Sequence, residues 1–193
     1  MSTIREMLRA EGGALHQQVD ATFGRYALQT RPHYVAFLQA HAQALMGLEV
    51  LLERSGVERL LPDWAERRRT SVLGDDLQRL GAIRPAPVAF ERTLDEGECW
   101  GAAYVLEGSR LGSRLLDRHV GESDDEAVRE ARAYLGHVPP KAAWPQFLER
   151  LDHAGRDPLL HPGMLAGQRL AFEVFLAAGL QHVPIAADTV AAS

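Results

Sequence analysis

The stretch Gly101-Ala-Ala-Tyr-Val-Leu-Glu-Gly-Ser-Arg-Leu-Gly-Ser-Arg-Leu115 combines helical spacing of its apolar residues with glycine at three positions inside the pattern. Glycine in a helix interior costs about 1 kcal/mol relative to alanine, so three of them require a compensating gain. Gly101, Gly108 and Gly112 are seven and four positions apart, which sets them along one helical face as a stripe without side chains. Such a stripe admits either the close approach of a second helix or a flat ligand laid against bare backbone. The residues of the stretch are compatible with both.

Working outward, the helix that carries this stretch is expected to start at Thr93 or Asp95 and to stop at Gly121. Ser123-Asp-Asp-Glu126 has the form of a capping box and predicts a short helix to about Leu135, ended before Pro139-Pro140. Trp144, Phe147, Leu148 and Leu151 share one face of a helix over 141–153. Leu165, Arg169, Phe172, Phe175, Leu176 and Leu180 define a last helix over about 164–180. Residues 184–193 are small and weakly patterned and are expected to form a flexible tail.

Upstream, the segment 82–92 contains Pro85 and Pro87 and reads as an extended connection with Ile83, Val88 and Phe90 as buried anchors. Asp63 suits the N-cap of a helix through Leu80, after a short turn over 57–61. Within that helix Arg67-Arg68-Arg69 reads as a solvated charged face, and Asp75-Asp76, like Asp124-Asp125, as an exposed cluster. Tyr34, Phe37, Leu38, His41, Leu45, Leu48 and Leu52 hold helical spacing after Pro32, with His41 a partly buried polar group on the apolar face. Leu8, Leu15, Val19 and Phe23 place the first helix over 2–23, with a kink or break expected at Gly12-Gly13. His16 lies on the face of Gly12 and Val19, where a histidine is either a hydrogen-bonded polar residue or a ligand.

No segment alternates as a strand does, and no repeat period is present, so the expected fold is all-α: a single multi-helical domain over 1–183 and the tail. Hydrophobic residues at 46% and charged residues at 24% are ordinary for a globular chain, which sets disorder aside. A net charge of -5 argues against a general nucleic-acid binder, which needs a concentrated basic surface. The lone Cys99 excludes an intrachain disulfide framework and a cysteine zinc cluster, and reads as a small buried apolar group. Charges fall too early for a secretory signal, and no run is expected to reach the length of a membrane span, so the protein reads as cytoplasmic. A phosphate loop, a dinucleotide glycine fingerprint, HExxH, GxSxG and paired Glu-x-x-His repeats are all missing.

Three segments together resemble one family. Tyr104-Val-Leu-Glu-Gly-Ser-Arg-Leu-Gly-Ser113 is similar to the distal helix of the haem oxygenases, more so of the bacterial, biliverdin-producing type. Leu15-His-Gln-Gln-Val-Asp20 is similar to their proximal helix, and Arg69-Thr-Ser-Val-Leu-Gly-Asp-Asp-Leu-Gln-Arg-Leu-Gly81 to the segment between. The resemblance spans about residues 5 to 180 in order and spacing. It implies a fold that holds haem between proximal and distal helices, with His16 as the iron ligand and the sixth position open for O₂. It further implies that Gly108, Ser109 and Gly112 form the catalytic distal wall and that Tyr104 contacts the macrocycle. Arg9, Arg150 and Arg114 are the cations it offers to the haem propionates. The implied reaction cleaves haem, both substrate and cofactor, at a meso carbon to biliverdin, CO and Fe²⁺. The implied partners are a ferredoxin or flavoprotein reductase as electron donor and a biliverdin acceptor such as a bacteriophytochrome, with no nucleic acid and no membrane. Ser109 and Ser113 stand where animal-type members carry an aspartate and a further glycine, and a hydroxyl cannot supply the carboxylate's charge.

Overall fold

The structure, a computed structural model, describes residues 3–184, and all but the first residue of the tail expected over 184–193 lies outside them. Thr3 opens the first helix, α1 (Ile4–Phe23), with a reciprocal capping box: its hydroxyl accepts from Glu6 N while the Glu6 carboxylate accepts from Thr3 N. The helix runs unbroken through Gly12-Gly13, against the expected kink. Gly12 instead makes room for Gln168, whose amide nitrogen donates to Leu8 O at 3.0 Å and would lie 2.5 Å from a Cβ at position 12.

The second helix, α2 (Arg31–Arg54), begins with Pro32 in its first turn and buries Tyr34, Phe37, Leu38, Leu45, Leu48 and Leu52. It is long and apolar enough to cross a membrane by length and composition, which corrects the expectation that no run reaches that length. With 67% of its apolar window buried inside the fold, that composition serves the protein core.

The helix expected from Asp63 to Leu80 is two helices, α3 (Trp64–Arg67) and α4 (Thr70–Arg79). Asp63 does not cap; its carboxylate accepts from Arg67 Nε at 2.8 Å. Arg68 breaks the helix with extended backbone, and the break turns its two neighbours inward: Arg67 and Arg69 are each only 2% exposed. The arginine run is therefore two buried cations flanking one half-exposed one, not a solvated face. Asp76 is likewise buried, accepting from Ala133 N at 3.0 Å and Tyr134 N at 2.7 Å, and burial raises its carboxyl pKa. The following connection is pinned where Val88 N donates to Gln43 O at 2.9 Å. Val88 and Phe90 pack against the core as expected, whereas Ile83 is 83% exposed and anchors nothing.

Asp95 and Glu98 cap α5 (Glu96–Gly121), the 26-residue helix that carries the glycine stripe. The next helix, α6 (Glu126–Glu130), is capped by Asp125 and stops short of Leu135. Ser123 is not its capping residue, because its hydroxyl donates to Gln29 O at 2.6 Å and ties α6 to the turn before α2. Two further helices, α7 (Ala143–Ala154) and α8 (His161–His182), complete the described chain, which contains no strand.

The helices α1, α2 and α5 all pack on α8, and the α5–α8 contact is the most extensive of these. Glycines permit it. A Cβ on Gly101 would lie 1.9 Å from Met164 O, and one on Gly167 would lie 2.0 Å from Glu98 O, so the two backbones touch directly. At its N-terminal end, then, the stripe is a helix-packing device.

Candidate active site

Past Gly101 the stripe parts from α8. A Cβ on Gly108 would come no nearer than 3.8 Å, to Trp144, and one on Gly112 would meet nothing within 4 Å. Both glycines border a cavity of about 580 Å³. On α1 its lining includes Arg9, Gly12 and His16, on α5 Tyr104, Ser109 and Ser113, and Phe37, Phe172 and Phe175 contribute aromatic surface from α2 and α8. The stripe therefore packs against α8 at Gly101 and borders a cavity at Gly108 and Gly112.

The imidazole of His16 is 60% exposed, with Nδ1 3.6 Å from Asp20 Oδ2 and its ring centroid 5.6 Å from that of Phe172. The other ring nitrogen has no hydrogen-bond partner among the described residues. No cluster of three or more metal-binding side chains occurs among those residues. A single exposed imidazole beside an apolar slot, the other lining histidine, His41, being packed among aromatic rings, suits a metal that arrives inside a macrocycle with its other donors already in place.

Of the remaining expected site residues, Arg9, Tyr104, Ser109 and Gly112 come together on this cavity with His16 and Gly108. Arg150 does not join them: its guanidinium lies near Leu60 O at 3.5 Å. The reason is helical phase, since six positions from the cavity-lining Trp144 is about 240° around α7. Arg114 is exposed on α5 outside the cavity lining.

Behind the α5 wall lies a polar layer that periodicity could not reveal. Arg69 Nη2 donates to Leu106 O at 2.9 Å and to Ser109 Oγ at 3.0 Å, and its guanidinium carbon sits 5.3 Å from the Tyr134 ring centroid. Ser109 Oγ donates to Leu106 O at 2.7 Å, and Ser113 Oγ to Ser109 O at 3.2 Å, so both serines bond back onto their own helix. Glu107, 2% exposed, binds Arg67 Nη1 at 2.6 Å and Arg110 Nε at 3.1 Å. The signal was present in the arginine run, but it pointed outward until the α3–α4 break turned it in.

His41 also lines the cavity, its Nδ1 3.0 Å from Phe37 O and its ring packed against Phe23, Phe37, Tyr134 and Phe175. Burial pushes its pKa down from 6.5 to about 3. Between those values the unfolded chain binds the proton that the folded one refuses, so stability should fall as pH drops below 6.5 toward 3. In His41→Gln that part of the acid sensitivity should vanish, seen as a flatter plot of urea midpoint against pH.

No protein-family model matches the chain. The chain is 27% identical over 146 residues to a haem oxygenase of Xanthomonas campestris pv. campestris, which covers 74% of this chain and 86% of that protein. Its fold matches the NO- and CO-bound haem oxygenase of Neisseria meningitidis with a TM-score of 0.70 at 22% identity, covering 98% of this chain and 96% of that one. The structural match establishes the fold, all-helical and shared with that enzyme. The sequence similarity, the shared fold and the arrangement of α1 and α5 about one cavity together liken this chain to the haem oxygenases.

Proposed function

We propose that the chain binds haem in the cavity between α1 and α5 and cleaves it at a meso carbon to biliverdin, CO and Fe²⁺. The observation that carries this reading is the pairing, on one largely apolar cavity, of the exposed imidazole of His16 with bare backbone at Gly108 and Gly112. Haem supplies the iron that activates O₂ as well as the ring that is opened.

Each residue's part follows from its place. His16 would ligate the iron through the ring nitrogen that does not face Asp20, whose carboxylate lies 3.6 Å from Nδ1. Gly108 and Gly112 keep side chains away from the oxygen-binding face, where any methyl would project into the cavity. Phe37, Phe172 and Phe175 keep the inner end of the slot apolar and limit bulk water. Arg9, exposed on the rim, is the cation placed to pair with a propionate. The electrons come from a separate ferredoxin or flavoprotein reductase, and a bacteriophytochrome is a suitable acceptor of the biliverdin. A cytoplasmic setting fits both.

Haemin titration tests the reading. A one-to-one complex with a Soret band is expected, and reductant with O₂ should convert it to a biliverdin spectrum. No complex would overturn haem binding, while a complex that yields no biliverdin would leave a binding protein without turnover. In His16→Ala the native ligation should be lost; an unaltered electronic spectrum would assign the iron to another side chain.

A further inference from the structure

Arg69 is a buried cation one layer behind the cavity wall. No carboxylate oxygen comes within 4.0 Å of its guanidinium among the described residues. The nearby acids are engaged elsewhere: Glu107 with Arg67 and Arg110, Asp63 with Arg67, and Glu53 with Arg68. Glu49 accepts from the Arg69 backbone N–H and from the Thr70 N–H and hydroxyl. Arg69 Nε, buried, has no hydrogen-bond partner among the described residues. The guanidinium instead reaches Ser109 Oγ and covers the Tyr134 ring, and both of those residues line the cavity. The charged residues that line the cavity themselves, Arg9 and Asp20, both belong to α1. The α5 side therefore feels a positive charge at short range, held in a buried guanidinium one hydrogen bond behind the exposed Ser109.

We propose that Arg69 makes the Ser109 side of the cavity a subsite for small anionic ligands. Arg69 acts as a positioning residue: it fixes the Ser109 hydroxyl, whose hydrogen is already held by Leu106 O, and projects its charge past it. The inference rests on haem binding in this cavity and adds to it a preference for negative charge on the distal side.

The ferric haemin complex of the full chain tests it through spectrophotometric titration with azide, an anion, and imidazole, a neutral ligand. Arg69→Gln should weaken azide binding about tenfold and leave imidazole binding within about twofold. Equal loss of both ligands, or loss of neither, overturns the inference, since a purely structural role would not select by charge. Arg69→Lys keeps the charge and should retain azide affinity within about threefold. Should the glutamine variant fail to fold, a tenfold azide loss in folded Arg69→Lys overturns the inference equally. Absence of a haemin complex in the parent chain overturns the haem reading and this one with it. A complex whose azide affinity ignores Arg69 overturns this one alone.

Discussion

Gly101→Ala is expected to lose more than about 3 kcal/mol of folding stability, the upper end of overpacking costs. The added methyl would stand 1.9 Å from Met164 O and 2.7 Å from Gln168 N, both backbone atoms that no rotamer change can move. Relief requires α5 and α8 to separate, and that contact is the most extensive in the fold. Gly112→Ala, eleven residues along the same helix, should have the opposite sign. Its methyl meets nothing within 4 Å, so the helix gains the propensity of alanine, about 1 kcal/mol. The same methyl projects into the cavity, so haemin affinity or turnover should fall while stability rises. Urea denaturation and haemin titration of the two variants separate the roles. A Gly101→Ala protein as stable as the parent would refute the packing role, and a Gly112→Ala protein with unchanged haem chemistry would refute the distal one.

What could be read in the chain follows from what a linear pattern encodes. Helical spacing marks every long helix, and the resemblance of three segments implies that His16 and Gly108 stand on opposing helices. A glycine stripe, however, specifies only an absence of side chains. Which glycine meets a helix and which meets a cavity depends on where α8 diverges from α5, and no residue in α5 states that. Charge is the least legible feature of the chain. Arg67, Arg69, Asp76 and Glu107 look like surface residues by type, yet each is buried and hydrogen-bonded to a distant segment. Such pairs are separated by up to 76 positions, beyond the reach of local periodicity. Arg150 failed for a simpler reason: α7 presents Trp144 to the cavity, and the helical phase carries position 150 away from it.

Glu107→Ala should cost about 3–5 kcal/mol, the range for removing one partner of a buried ion pair. Glu107 stands directly before Gly108 and binds Arg67 from α3 with one oxygen and Arg110 with the other. Removing the carboxylate leaves two guanidinium groups facing each other in a low-dielectric layer. Arg67 would keep Asp63, at 2.8 Å through both Nε and Nη2, whereas Arg110 would keep only neutral partners, Arg67 O and His137 Nδ1. Burial and the Arg69 charge lower the pKa of Arg110, and the Glu107 carboxylate is the main group that opposes them, so its loss deepens the penalty there. Glu107→Gln retains a hydrogen-bond acceptor for one arginine and should cost less than the alanine variant. The effect should also reach the site, because this layer fixes the height of α5 at the point where its backbone enters the cavity wall. Urea midpoints should therefore fall in the order parent, Gln, Ala, and haemin affinity should fall with them at a temperature where all three are folded. If the alanine variant loses stability but binds haemin with the parent's affinity and Soret maximum, the ion-pair layer supports the fold without setting the position of the distal wall.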